Sequence, residues 1–144
     1  QGKIRYWGFT HYLTSAYPQL IRLIKSEKPD FIQFNYNIAS REAEQELLPM
    51  AREKGIGVII NRPFEEGALF SQVRGKKLPA WAADYNIKSW GQFFLKFIVS
   101  HPAVTCVIPG TSKVSHLADN LEAAFAPLPE GDQRKKMIEY FQSI

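Results

Sequence analysis

Cysteine is nearly missing from this sequence: Cys106 is the single one in 144 residues, so neither a disulfide framework nor a thiolate metal site can be built. Histidine is almost as scarce. His11, His101 and His116 stand far apart, at none of the spacings that hold a metal, and no metal site is expected. No apolar run reaches the roughly 18 residues that suggest a bilayer span; the nearest, Phe93 to Val99, is interrupted by Lys96. A secretory leader pattern is also missing, so the expectation is a cytoplasmic protein with no membrane partner. A strong excess of one charge is lacking too, since 18 basic and 14 acidic residues leave a net charge of +4. The small basic clusters Gly75-Lys76-Lys77 and Arg134-Lys135-Lys136 read as solvated surface, and no nucleic-acid partner is expected. Finally, the chain opens Gln1-Gly2-Lys3-Ile4 with no methionine and enters an apolar stretch at once, as a chain cut open upstream would.

What is present suits one globular domain over residues 1–144, with 45% hydrophobic and 22% charged residues. Four apolar stretches read as strands: Ile4 to Thr10, Phe31 to Tyr36, Val58 to Asn61 and Thr105 to Ile108. Cys106 lies inside the last of these, where a small buried hydrophobe is the default. Helical periodicity follows each strand. The first helix takes Pro18 in its opening turn, carries Leu20, Ile21, Leu23 and Ile24, and stops before Pro29. The second is expected to be capped by Ser40, with Glu42, Glu44 and Glu46 near its positive end, and to tolerate or kink at Pro49 before ending at Gly55. Ser89-Trp90-Gly91-Gln92 matches a capping box ahead of a very apolar helix to Ser100. A terminal helix runs from about Asp132 to Ser143. Strand–helix alternation of this kind implies a parallel sheet with right-handed crossovers. Between Arg62 and Lys88 lies a long irregular stretch, of a length that is usually functional or mobile.

The stretch Val107-Ile108-Pro109-Gly110-Thr111-Ser112 organises the chemistry. A strand, a tight turn and a helix to about Ala124 aim free N–H groups and the positive end of the helix dipole at one spot, which suits a phosphate. Asp119 and Asn120 follow two turns on, within reach of a base or sugar. The bland alternative is an ordinary strand–helix unit in which Thr111 or Ser112 is only the N-cap. Likewise Gln33, on an apolar strand, reads from the residues alone as a hydrogen-bonded core amide, and Trp7, Trp81 and Trp90 read as packing residues.

Four segments, GKIRYWGFT, DFIQFNYN, GIGVIINRPFEEG and CVIPGTSKVSHLADNLEAA, resemble strands five to eight of the aldo-keto reductase family, NADPH-dependent carbonyl reductases built on a (β/α)8 barrel. The resemblance runs from Gly2 to about Leu128. It implies an α/β fold: a parallel (β/α)4 half of a TIM-type (β/α)8 barrel plus a C-terminal helix, with the first four βα units outside the sequence. It implies that Thr10, His11 and Gln33 face the nicotinamide carboxamide, His11 standing where the family usually has Asn. Asn61 stands where many members stack an aromatic ring, and Arg62, Pro63 and Phe64 follow at the loop that skirts the pyrophosphate. Ile108, Gly110, Thr111 and Ser112 match the turn that meets the adenosine 2′-phosphate, and Asp119 and Asn120 the pair near the adenine. Gly110 replaces a frequent Lys and His116 a frequent Arg, so NADPH is the implied cofactor with NADH as its alternative.

The family's catalytic Asp, Tyr, Lys and His come from the first half of the barrel, and no catalytic residue is assigned in this sequence. The resemblance thus implies the cofactor-binding half of an NAD(P)H-dependent reductase, with a nicotinamide dinucleotide and a small carbonyl substrate as partners of the complete protein. Alone, this half is expected to be inactive. The alternative is a non-catalytic dinucleotide-binding, regulatory or structural half-barrel, a role like that of the potassium-channel beta subunits. Two open strand edges and an uncovered inner face predict self-association.

Overall fold

The structure is a computed structural model and describes residues 2–144. Four strands pair in parallel in the order β1-β2-β3-β4: β1 Gly8–Thr10, β2 Phe31–Asn35, β3 Gly57–Asn61 and β4 Cys106–Val107. Crossover helices α1 (Tyr17–Glu27), α2 (Leu47–Glu53) and α4 (Trp90–Val99) join them. The short α3 (Ala68–Gln72) lies within the connection before α4, and α5 (Val114–Glu122) and α6 (Asp132–Ser143) follow β4.

The period-2 geometry of a strand sends alternate side chains to opposite faces. Ile32, Phe34, Val58 and Ile60 therefore share one face, where all four are fully buried against Ile24, Leu48, Phe94, Phe97 and Met137 from the helices. Gln33 lies level with Thr10 and Ile59, and Ile59 level with Cys106, on the other face. Phe31 and Cys106 are exposed there, so Cys106 is not the buried hydrophobe expected from its apolar neighbours. Parity in the strand turns it away from the helices. Gly8 is required where the edge strand joins: a Cβ would stand 2.1 Å from the Phe31 carbonyl oxygen.

Both edge strands are shorter than the apolar runs that contain them. β1 begins at Gly8, not Ile4, because pairing starts only where the Trp7 carbonyl accepts from the Asp30 and Phe31 N–H groups. Ile4 and Tyr6, ahead of it, are exposed. Ser40 does not cap α2. Asn37 Oδ1 takes the Ala39 and Ser40 N–H groups at 3.0 and 2.9 Å, a 3-10 turn over Glu42–Glu44 follows, and the α-helix starts at Leu47. Pro49 thus falls in the first turn of α2, where its missing N–H costs nothing. Neither Thr111 nor Ser112 caps α5, which begins with Lys113 in the cap position; Thr111 Oγ1 accepts the Lys113 N–H at 3.2 Å instead. The stretch after β3 is only partly irregular, since it holds α3 and 3-10 turns at Glu65–Gly67 and Ala80–Tyr85.

Helix α4 is apolar nearly all round and is buried accordingly. Ser89 caps it as expected, Oγ accepting the Gln92 N–H at 3.0 Å, while the Gln92 amide oxygen reaches the Lys88 N–H at 2.8 Å. Lys96, in its middle, is completely buried and donates to the carbonyls of Phe125 at 2.5 Å and Pro127 at 3.0 Å. Burial pushes its pKa down, with Glu122 opposing. Helix α6 closes the helical layer. Met137 is buried, Phe141 meets Phe94 edge-on at 5.8 Å, and Tyr140 packs on Trp81 and Trp90. The sequence places Arg134 in a small basic cluster that reads as solvated surface. Its side chain is instead 12% exposed and donates to the Phe97 carbonyl, Ser100 Oγ, Tyr36 Oη and Glu44 Oε1. Among the described residues no helix is long and apolar enough to cross a membrane, and no cluster of His, Cys, Asp and Glu could hold a metal.

Candidate functional site

The carboxyl ends of the strands collect the polar residues, as the crevice outside a parallel sheet does in open and closed α/β folds. Two neighbouring groups form there. At the ends of β1–β3, the His11 N–H donates to the Gln33 carbonyl at 2.9 Å, and Asn61 Nδ2 approaches the His11 carbonyl at 3.4 Å. Thr10 pairs in register with Gln33. These four residues sit together at the strand ends, outside the second group.

The second group lines a cavity of about 680 Å³ between the β3 and β4 connections. Sites for small molecules run from about 300 to 1,000 Å³. Of the residues singled out in the sequence, Arg62, Pro63, Phe64, Ile108, Gly110, Thr111, His116, Asp119 and Asn120 line it; Ser112 lies on the same turn but outside the lining. Residues the sequence did not single out for this site are Glu66, Gly67, Phe70, Ser89, Trp90 and Gly91. Ser89 and Gly91 read in the sequence only as part of a capping box, and Phe70 belongs to the short helix α3 hidden in what reads as a loop.

Arg62 is the cation of the cavity wall nearest the strand ends. Its guanidinium lies 3.4 Å from Glu65 Oε2 and 3.5 Å from Glu66 Oε1, and 5.4 Å over the Tyr12 ring. Arg62, Glu65 and Glu66 all have φ near +50°, in the left-handed region, where a non-glycine residue costs about 1–2 kcal/mol. A buried network holds this turn: Glu65 Oε1 accepts from Asn35 Nδ2 at 2.9 Å and Asn37 Nδ2 at 2.7 Å. That network explains why Asn35 is buried although its strand parity places it on the open face. Asn61 Oδ1 and Arg62 Nε are buried here with no hydrogen-bond partner among the described residues. One is an acceptor and the other a donor, so the strand ends leave both halves of a polar contact unmade.

Asp119 borders the cavity and also joins two helices. Its Oδ2 accepts from Ser89 Oγ at 2.6 Å and its Oδ1 from Gln92 Nε2 at 2.7 Å. The carboxylate thus binds α5 to the N-terminus of α4, where the helix dipole favours negative charge. Gly91 permits the approach, since a Cβ there would lie 3.2 Å from Asp119 Oδ2.

Four consecutive strand–helix units, with their polar residues at the strand carboxyl ends, define the ligand-bearing side of a (β/α) barrel. Residues 1–136 match the model described as the aldo/keto reductase family, and the chain belongs to that family. It is 36% identical over 93 residues to an uncharacterised oxidoreductase of Schizosaccharomyces pombe, a match covering 65% of this chain and 29% of that protein. It is 24% identical to a probable aldo-keto reductase of Glycine max, over the whole of this chain and 47% of that one. Among solved structures, the apo form of an aldo-keto reductase from Bacillus halodurans superposes with a TM-score of 0.73 at 20% identity, covering 97% of this chain and 52% of that chain. An aldo/keto reductase from Klebsiella pneumoniae in complex with NADP and acetate gives a TM-score of 0.71 at 20% identity, covering 97% and 49%. These likenesses show the fold: the sheet is the four-stranded part of a TIM-type barrel. The chain spans about half the length of these structures and of the Glycine max relative.

Proposed function

We propose that residues 1–144 form a single domain that is the cofactor-binding half of an NAD(P)H-dependent aldo-keto reductase, in which the complete protein transfers hydride to an aldehyde or ketone. The observation that carries this is the cavity, which gathers Arg62, Ile108, Gly110, Thr111, His116 and Asn120 beside the strand-end group of Thr10, His11, Gln33 and Asn61. An anionic, elongated ligand with a polar ring at each end fits that arrangement. Arg62 and the turn at Gly110 and Thr111 would hold its phosphates. Gln33 and Thr10, with the orphaned Asn61 Oδ1, would face a carboxamide, which offers both a donor and an acceptor. NADPH, with NADH as the alternative, would supply the hydride, and these residues orient it. No residue of this chain is assigned to proton transfer. The exposed, unpaired thiol of Cys106 suits the reducing cytoplasm.

The test is equilibrium binding of NADPH to the 144-residue chain, run beside an aldehyde-reduction assay. Weak binding without turnover is the expected result. Absence of nucleotide binding, or turnover by this chain alone, refutes the reading.

A second reading, a self-associating module without chemistry of its own, is favoured by one observation. Val114, Leu117 and Leu121 form an apolar stripe along α5, with Phe125 just past its end, and are 84%, 49%, 58% and 63% exposed, while β4 is an edge strand of the sheet.

A further inference from the structure

We propose that Glu66 is a built-in counter-ion for Arg62, a contact that holds this cation in check and that an incoming pyrophosphate displaces. The inference rests on the nucleotide-binding reading above and deepens it, because it names the residue that limits how tightly the same site takes an anion. Arg62 is the single Arg or Lys among the described residues that line the cavity, and two acids share the lining with it, Glu66 and Asp119. Both oxygens of Asp119 accept from Ser89 and Gln92. Glu66 makes no hydrogen bond among the described residues; its polar contact is the Arg62 guanidinium, 3.5 Å from Oε1.

Glu65 lies against the same guanidinium at 3.4 Å, yet the two glutamates are held differently. The Glu65 side chain is 23% exposed, and the Asn35 and Asn37 amides fix its Oε1 at 2.9 and 2.7 Å, so it stays beside Arg62. The Glu66 side chain is 76% exposed and nothing anchors it. The backbone puts it there: Arg62, Glu65 and Glu66 have φ of 49°, 47° and 53°, and Gly67 follows at 96°. This left-handed turn returns the Glu66 carboxylate to the guanidinium four residues earlier. One cation against two carboxylates leaves this part of the wall with net negative charge, which opposes an anion until Glu66 swings out. The pair is easily broken, because an exposed ion pair contributes little. Neither glutamate comes within the roughly 2.7–3.2 Å of a good N–H···O bond, and the buried Arg62 Nε has no partner among the described residues. The hydrogen-bonding capacity of the guanidinium is thus unused. A phosphate matches its fork and takes up that capacity.

The experiment titrates the 144-residue chain with inorganic pyrophosphate, and separately with NADPH, by calorimetry at low salt. Glu66→Gln keeps the size of the side chain and removes its charge. It is expected to bind pyrophosphate about threefold more tightly, the order of one exposed ion pair. Glu66→Asp keeps the charge but draws the carboxylate back by one methylene, and is expected to share most of that gain. In an Arg62→Met background, Glu66→Gln should bring no gain. Both Glu66 variants change a mostly exposed side chain and should keep the urea midpoint of the parent. Unchanged pyrophosphate affinity in Glu66→Gln, a gain in Gln with none in Asp, an equal gain without Arg62, or no pyrophosphate binding by any of these proteins overturns the counter-ion role. NADPH separates this inference from the reading beneath it. A pyrophosphate response without NADPH binding refutes the nucleotide reading alone, and NADPH binding that ignores both Glu66 variants refutes the counter-ion alone.

Discussion

Arg134→Met is the sharpest test of how the helical layer is held. The guanidinium donates to the Phe97 carbonyl at the end of α4, to Ser100 Oγ at 2.8 Å, to Tyr36 Oη at 2.7 Å and to Glu44 Oε1 at 3.1 Å, and lies 4.3 Å over the Phe97 ring. Met preserves much of the stem and removes every donor. Breaking a buried ion pair from one side costs about 3–5 kcal/mol, because the remaining charge is stranded. The Glu44 side chain is 34% exposed, so water takes up part of its charge, and a loss of about 3 kcal/mol is expected. With a urea m-value of about 2 kcal/mol/M, the unfolding midpoint should fall by about 1.5 M. Adding Glu44→Gln to the variant removes the stranded carboxylate and should restore about 0.5 M of that. Lys135→Met, at the exposed pair with Asp132, should leave the midpoint where it was. A fall of less than about 0.3 M, or no recovery in the double variant, refutes the claim that Arg134 pins α6 to the rest of the domain.

Two further outcomes follow from the same structure. Burial, followed by the Arg134 charge, holds the His101 pKa below its ordinary value, with Glu44 opposing. Between the lowered folded value and the ordinary one the unfolded chain binds more protons, so stability rises with pH through that window and is lost as pH falls through it. His101→Gln should flatten urea midpoints measured from pH 5 to 7.5; an unchanged slope would show that another group titrates. The open face of the sheet, the free β1 and β4 edges and the α5 stripe should drive the chain into dimers or larger assemblies in sedimentation velocity. A monomer at high concentration would count against self-association.

Much of this protein is legible in its sequence because the relevant signals are local. The α6 boundaries, the Ser89 cap and the apolar cores of the four strands follow from periodicity and hydroxyl placement within a few residues. The turn at Gly110 and Thr111 and the acidic-amide pair on α5 were likewise visible as motifs, and the structure gathers most of them around one cavity. Local signals failed where a distant partner competed. Asn37 Oδ1 holds the N–H groups of Ala39 and of Ser40 itself, a 3-10 turn follows, and α2 starts later, at Leu47. Asp119 borders the cavity, and its carboxylate also accepts from Ser89 and Gln92, thirty and twenty-seven residues away, contacts that no local signal announces.

By itself, then, the sequence determined the order of strands and helices and the residue types available at the strand ends, since hydrophobic period and turn chemistry act over a few residues. Tertiary structure alone decided which charges are spent inside the fold and which surfaces stay open. Arg134 and Lys135 are adjacent in the chain, yet one is buried against Glu44 and the other stands in water with Asp132. Cys106 and Val107 are likewise neighbours, and only the pairing of β4 with β3 determines which of them turns toward the helices. Burial depends on what packs across the domain, and that is a property of the assembled layers.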